Sequence, residues 1–79
     1  MKYVIVESAG RKSALLYCEN TSDSIIQNDR AIQGRTIISA GHLTYIFKMS
    51  RLVGLNCWGG LLGFKSRPGD EKILMGEED

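Results

Sequence analysis

The segment HLTYIFKMSRLVGLNCW, residues 42–58, decides the fold because apolar side chains alternate with other types before and after a central turn. A period of two is typical of β-strands with two unequal faces. We expect one strand over residues 43–48, a second over 52–58, and a turn centred on Ser50. The segment therefore predicts an antiparallel hairpin.

This turn position predicts which side chains share each face of the hairpin. One face is apolar and is expected to be core, with the pairs Leu43 and Cys57, Tyr45 and Leu55, and Phe47 and Val53. The opposite face is mixed, with the pairs His42 and Trp58, Thr44 and Asn56, Ile46 and Gly54, and Lys48 and Leu52. A slip of one residue would exchange the two faces, since strand side chains alternate strictly.

A second hairpin is predicted at the start of the chain. Residues 3–6 and 14–18 are apolar runs on either side of a turn-rich stretch around Gly10. A turn centred on Gly10 would pair Tyr3 with Tyr17 and Ile5 with Leu15.

Two more strands are expected beside the 42–58 segment. Residues 36–40 form one, which Gly41 separates from the strand that follows, and residues 61–64 form the other after a turn at Gly59 and Gly60. Gly63 marks a bulge or a close backbone approach in that last strand.

Two short helices complete the pattern. Thr21 or Ser22 can cap a helix over residues 23–31, with Gly34 as its terminator. A second helix opens around Pro68, where Asp70 and Glu71 complement the positive end of the helix dipole, and ends at Gly76. Asn28 and Asp29 are weak helix formers, which limits the first helix to two or three turns.

The elements together predict an α+β fold with a small, mostly antiparallel sheet. The order is approximately ββαβββ with one short central helix and a short C-terminal helix, in a single small domain over residues 1–79 with a mobile acidic tail at 77–79. A chain of 79 residues buries only about 60% of the surface that its unfolded form exposes. Association with another chain is therefore expected to contribute to its stability.

Charge is distributed unevenly along the chain. Residues 1–67 carry nine basic and four acidic side chains, net +5, whereas residues 68–79 carry one basic and five acidic side chains, net −4. Residues 30–69 contain no Asp or Glu at all. The candidate anion-binding residues are Arg30, Arg35, Lys48, Arg51, Lys65 and Arg67.

No catalytic, cofactor or metal site is predicted. Gly54 and Gly59 have the spacing of phosphate-loop glycines, but Gly60 and Leu61 replace the lysine and hydroxyl residue that such a loop needs. Cys18 and Cys57 form no CxxC pair and are expected to be reduced core residues. Catalysis by a Cys57 thiolate would need His42 in direct reach, and the two are expected on opposite faces. We therefore expect a protein that is not an enzyme.

Nothing in the sequence predicts a membrane segment. The longest apolar run, residues 52–64, has thirteen residues, against roughly 20 for a spanning helix. The first residues lack the basic, apolar and small-residue pattern of a secretory signal, so a cytoplasmic protein is expected.

Two functions remain. The leading hypothesis is a self-associating protein-interaction or accessory module, a dimer or a complex with another protein, because one short helix cannot cover so many apolar strands. Its candidate interaction surface is His42, Thr44, Lys48, Arg51, Asn56 and Trp58, of which Trp and Arg are types enriched in interface hot spots. The alternative is a module that binds nucleic acid or another anion through segment 30–69. The salt dependence of binding would distinguish the two functions, because phosphate contacts weaken steeply as salt rises.

Overall fold

A computed structural model describes residues 1–76 and confirms the predicted α+β class. A four-stranded antiparallel sheet has the order β2-β1-β3-β4, and β5 and β6 form a separate two-stranded sheet. The elements are β1 (Lys2–Ser8), β2 (Arg11–Tyr17), α1 (Asp23–Gln27), β3 (Thr36–Lys48), β4 (Arg51–Trp58), β5 (Gly60–Leu61), β6 (Phe64–Lys65) and α2 (Asp70–Leu74). The mobile tail predicted at 77–79 lies outside the described residues.

The first hairpin forms, but its predicted register is wrong by one residue. The turn consists of Ala9 and Gly10, both at positive φ (54° and 79°), which is the twist that a two-residue hairpin loop requires. Tyr3 therefore pairs with Leu16 instead of Tyr17, and Ile5 with Ala14 instead of Leu15.

Central strand β1 is buried on both faces of the sheet. Val4 and Val6 lie on the face that carries α1, with Ala40 of β3, and pack with Ile26 and Ile32. We call this the α1 face. On the opposite face, the α2 face, Tyr3 and Ile5 form a cluster with Leu43, and Ile73 and Leu74 of α2 pack against it. The core is thus two small layers, one on each side of β1.

Strand β3 is continuous from Thr36 to Lys48, so the predicted break at Gly41 is wrong. The glycine serves close packing instead. A Cβ at position 41 would meet the Trp58 carbonyl oxygen at 2.8 Å and the Ser66 hydroxyl closer still. The absence of a side chain lets β3 pass beneath the residues that follow β4.

Helix α1 is shorter than the 23–31 prediction and ends at Gln27. Ser22, not Thr21, is its N-cap, and the Ser22 hydroxyl accepts a hydrogen bond from the Ile25 amide. Asp29 ends the helix early because its carboxylate has competing partners, the Ala31 amide at 3.0 Å and the Tyr17 hydroxyl at 2.8 Å.

The end of the chain turns more tightly than predicted. The strand expected over 61–64 is interrupted by a turn at Leu62 and Gly63, both at positive φ, so β5 and β6 pair with each other. Helix α2 forms, but it begins at Asp70 after the N-cap Gly69 instead of around Pro68, and Asp70 is buried, with only 3% of its surface exposed. Its carboxylate accepts hydrogen bonds from the Tyr3 hydroxyl, the Ser39 hydroxyl and the Arg67 amide, which fasten α2 to the sheet.

Candidate interaction surface

Strands β3 and β4 extend beyond the rest of the sheet. The last residue of β3 that pairs with β1 is His42, opposite Lys2. From Thr44 to Leu55 the two strands pair only with each other, and we call residues 44–55 the arm. The arm is therefore a two-stranded ribbon with both faces beyond the reach of β1.

The predicted pairing of this hairpin is confirmed for five pairs and wrong for two. The pairs from His42 with Trp58 to Ile46 with Gly54 form as expected. Beyond them, a bulge places Phe47 opposite Leu52 and Lys48 opposite Arg51. The prediction centred the turn on Ser50, but the turn consists of two residues, Met49 and Ser50. Val53 is therefore the extra, unpaired residue of the bulge.

The apolar face of this hairpin is core only at its base. Leu43 is buried and Cys57 is half-buried beneath α2. Farther out, Tyr45, Phe47 and Leu52 are 36%, 64% and 45% exposed. We call these three residues the apolar stripe. The expectation that the whole face is core is therefore wrong, because the body of the protein ends before the face does.

The tip of the arm is both apolar and basic. Met49, in the turn, is 90% exposed. Lys48 and Arg51 are direct cross-strand partners. Like charges in this position repel each other, and no carboxylate of residues 1–76 forms an ion pair with either.

The opposite face of the β3–β4 hairpin carries the predicted interaction surface, much of it at the base, outside the arm. His42 and Trp58 stack at its base, with ring centroids 4.7 Å apart and planes 19° from parallel. The Trp58 indole nitrogen donates to the Thr44 hydroxyl at 3.3 Å, and Asn56 lies opposite Thr44. These four residues share the α1 side of the hairpin, and the other two predicted residues, Lys48 and Arg51, lie on the same side at the arm tip.

Glu19 contacts both the N-terminus and His42 at the base of the arm. Glu19 lies 3.1 Å from the N-terminal ammonium of Met1 and 2.9 Å from Nδ1 of His42, although the histidine contact is not aligned as a hydrogen bond. The hydrogen bond from the N-terminal ammonium, aided by the charge of His42, lowers the pKa of Glu19. His42 is thus a structural neighbour of Trp58 and Glu19.

The remaining candidate anion-binding residues lie on other elements. Arg30 and Arg35 are in the turns between α1 and β3, Arg67 precedes α2, and Lys65 is in β6. Lys65 borders an open groove of about 550 Å³ that is also lined by Lys2, Asp23 and His42. The Lys2 ammonium already donates to the Thr21 carbonyl at 2.7 Å. Of the six candidate anion-binding residues, only Lys48 and Arg51, at the arm tip, lie directly opposite each other in the sheet.

The outer edge of β4 is covered where the arm meets the body. The Cys57 amide, which points away from β3, donates to the Glu71 carboxylate of α2 at 3.4 Å. Burial, with the nearby Glu71 and Asp70 carboxylates, raises the pKa of the Cys57 thiol to about 11. The thiol is therefore protonated at neutral pH and is a poor nucleophile.

Both cysteines are free, but Cys18 is exposed, so its prediction as a core residue is wrong. It directly follows Tyr17, the last residue of β2. Among residues 1–76, no three His, Cys, Asp or Glu side chains are grouped as metal ligands would be. No helix in that range has the length and apolar composition needed to cross a membrane.

Comparison with protein-family models found no match, and comparisons with curated proteins and with solved structures found none either. The surface must therefore be interpreted from its own residues. Sequence reasoning missed the stripe as a site because it assigned Tyr45 and Phe47 to the core. A signal was present in the number of elements, since one short helix cannot cover all the apolar strands that the sequence predicts.

Proposed function

We propose that this protein is a non-catalytic interaction module that self-associates as a dimer through the arm. The observation that carries the proposal is the exposed apolar stripe, Tyr45, Phe47 and Leu52, which continues the buried Leu43 cluster without cover. A continuous apolar face that is buried at one end and exposed at the other is typical of a binding surface.

The exposed area of the arm supports the proposal. The stripe is joined by two further exposed apolar side chains, Met49 and Val53. The exposed fractions of these five residues, applied to full side-chain areas of about 150–250 Å², amount to roughly 500 Å². That is within the range of the largest apolar patch on typical monomers, which is often functional, and more than half of the roughly 800 Å² per partner of a standard interface.

Sedimentation velocity across a concentration series tests the proposal. We expect wild-type protein to shift from monomer to dimer with increasing concentration, and the double variant Phe47→Ser, Leu52→Ser to remain monomeric. Ile25→Ser is the matched control, because Ile25 is 62% exposed on α1, away from the arm. It should associate as wild type does. A wild-type protein that stays monomeric up to millimolar concentration would contradict self-association.

The Lys48 and Arg51 pair favours a second candidate, nucleic-acid binding. Two cations side by side at the end of a two-stranded ribbon could contact phosphates, and such a ribbon fits the DNA major groove. Fluorescence anisotropy of labelled mixed-sequence DNA and RNA, at low and near-physiological salt, tests it. Saturable binding that weakens steeply with salt, and is lost in Lys48→Gln, Arg51→Gln, would support this function. Flat titrations at both salt concentrations would exclude it.

A further inference from the structure

The α1 side of the β3–β4 hairpin, opposite the apolar stripe, carries two cations and an exposed aromatic ring. Because strand side chains alternate, Lys48 and Arg51 at the tip lie on the same side as Trp58 at the base. We infer that this side of the hairpin binds single-stranded nucleic acid, with phosphates against the two cations and a base stacked on the indole. The inference rests on the second candidate function, to which it gives a defined site, and it is independent of self-association through the stripe.

The tip of the hairpin supplies positive charge that the protein itself does not neutralise. Lys48 and Arg51 are exposed and lie directly opposite each other. No carboxylate of residues 1–76 forms an ion pair with either, and the sequence has no Asp or Glu over residues 30–69. An anion bound between two neighbouring cations relieves their repulsion. A phosphate backbone supplies such anions in a regular series.

Trp58 supplies a stacking surface at the base of the hairpin. His42 packs against one face of the indole with ring centroids 4.7 Å apart, and the hydrogen bond from the indole nitrogen to the Thr44 hydroxyl orients the ring. Half of the Trp58 surface nevertheless remains exposed. Stacking on such a ring is the sequence-tolerant contact of single-strand binding proteins. It favours an unpaired strand, because the bases of a duplex already stack on one another.

The open groove beside His42 extends the site beyond the hairpin. Phe64 and Lys65 of β6 line this groove, and both are exposed. A ring and a cation are therefore present at the base, in addition to the cations at the tip. From Arg51 to Trp58 the strand advances by about 23 Å, so a strand of several nucleotides could contact both ends. Cations that follow the backbone, combined with rings that stack on bases, are the usual composition of a single-strand site.

Two carboxylates near the base have cations of their own. Glu19, beside His42, lies 3.1 Å from the N-terminal ammonium. Asp23 lines the groove, and its oxygen is 3.9 Å from the Lys2 ammonium. Their repulsion of a phosphate is therefore reduced, and the attraction at the tip has no such opposition.

The fluorescence of Trp58 reports directly on this site, because Trp58 is the only tryptophan in the chain. Titration at low salt with a mixed-sequence single strand of about 12 nucleotides should quench the emission saturably. The duplex that this strand forms with its complement should bind at least about fivefold more weakly, since its bases are not free to stack. Poly-glutamate of similar length, a polyanion without rings, should not displace the single strand.

Variants separate the contribution of charge from that of stacking, measured by anisotropy of the labelled single strand. Lys48→Gln, Arg51→Gln should make the dependence of log K on log salt less steep by about 1.4, about 0.7 for each cation removed. Arg11→Gln, Lys12→Gln is the matched control at the opposite end of the sheet and should leave this slope unchanged. Trp58→Leu should weaken binding at least about fivefold, and Trp58→Phe should recover part of that loss because it restores a ring.

The outcomes distinguish this inference from the functions proposed above. Circular dichroism should show that every variant is folded. Equal or tighter binding of the duplex would overturn the single-strand inference and leave the second candidate function intact. An unchanged salt slope in Lys48→Gln, Arg51→Gln, or full displacement by poly-glutamate, would show that the assigned site is wrong. No binding of either nucleic acid at low salt would exclude both, while self-association is measured independently by sedimentation.

Discussion

Both halves of β3 carry apolar side chains, but their surroundings are very different. In the body, Ala40 and Leu43 are buried beside β1, between the layers that carry α1 and α2. In the arm, Tyr45 and Phe47 continue the α2 face of the same strand, yet they are exposed. Burial in this protein therefore depends on which elements cover a strand, and the apolar pattern of the strand does not reveal where that cover ends.

The largest expected difference between body and arm is in how much the free energy of unfolding falls when an apolar side chain is removed. Ile5→Ala removes a fully buried side chain and should lower the free energy of unfolding by about 3 kcal/mol. Phe47→Ala removes a larger but exposed side chain and should change it by less than about 0.5 kcal/mol. Urea unfolding followed by circular dichroism, at concentrations where the protein is monomeric, measures both. Equal losses would show that the arm is packed against the body.

The buried carboxylate of α2 gives the next largest effect. Asp70→Asn replaces an acceptor of three hydrogen bonds with an amide that must turn a donor toward one of them. We expect a loss of about 2 kcal/mol in the same urea experiment. Asp23→Asn is the control, because Asp23 is exposed and its oxygen is 3.9 Å from the Lys2 ammonium. A comparable loss for Asp23→Asn would indicate that Asp70 does not anchor α2.

The glycines of β3 and β4 test the boundary between body and arm. Gly41→Ala would force a Cβ against the Trp58 carbonyl and the Ser66 side chain, and should cost about 1–3 kcal/mol. Gly54→Ala, in the arm, meets nothing within 4 Å and should be within about 0.5 kcal/mol of wild type. Thermal unfolding of the two variants measures this difference. Equal stability of both would mean that the close approach at Gly41 is absent in solution.

The smallest expected effect is the contribution of Glu19, at the base of the arm, to the pH dependence of the free energy of unfolding. Because folding lowers the pKa of Glu19, its contribution is present above the unfolded pKa of about 4.3 and is lost as pH falls through the lower folded value. Glu19→Gln should therefore unfold with a shallower dependence on pH below about 4.3. Acid titrations followed by circular dichroism, with Glu7→Gln as the control, measure the slope. An unchanged slope would show that the contact between Glu19 and the N-terminal ammonium does not persist.

Local patterns predicted much of the fold. The alternation over residues 42–58 predicted five correct cross-strand pairs, and the Ser22 region predicted a helix start. The errors occurred where one additional residue in a turn or bulge shifts the pairing of the two strands. A two-residue turn at Ala9 and Gly10 changed the register of the first hairpin, and a bulge at Val53 changed the last pairs of the arm. Both depend on backbone conformations that several sequences satisfy.

The candidate site was predicted in part. His42, Thr44, Asn56 and Trp58 share one face of the hairpin, as strict alternation requires. The apolar stripe was missed because alternation identifies side chains that share a face without identifying what covers it. Likewise, Asp70 was expected only as a partner of the helix dipole, and it is buried among the hydroxyls of Tyr3 and Ser39, from distant parts of the chain, and the neighbouring Arg67 amide.

The amino-acid sequence alone determined the fold class, the two main hairpins, and the carboxylate-free segment that leaves the arm basic. These features depend on residue periodicity, turn chemistry and charge, which act over a few neighbouring residues. The exposure of the stripe, the burial of Asp70 and the close approach at Gly41 arose only from assembly of the elements. They depend on where β1 ends beside β3, on how α2 docks on the sheet, and on how closely Trp58 and Ser66 approach Gly41. Contacts between residues distant in sequence set all three.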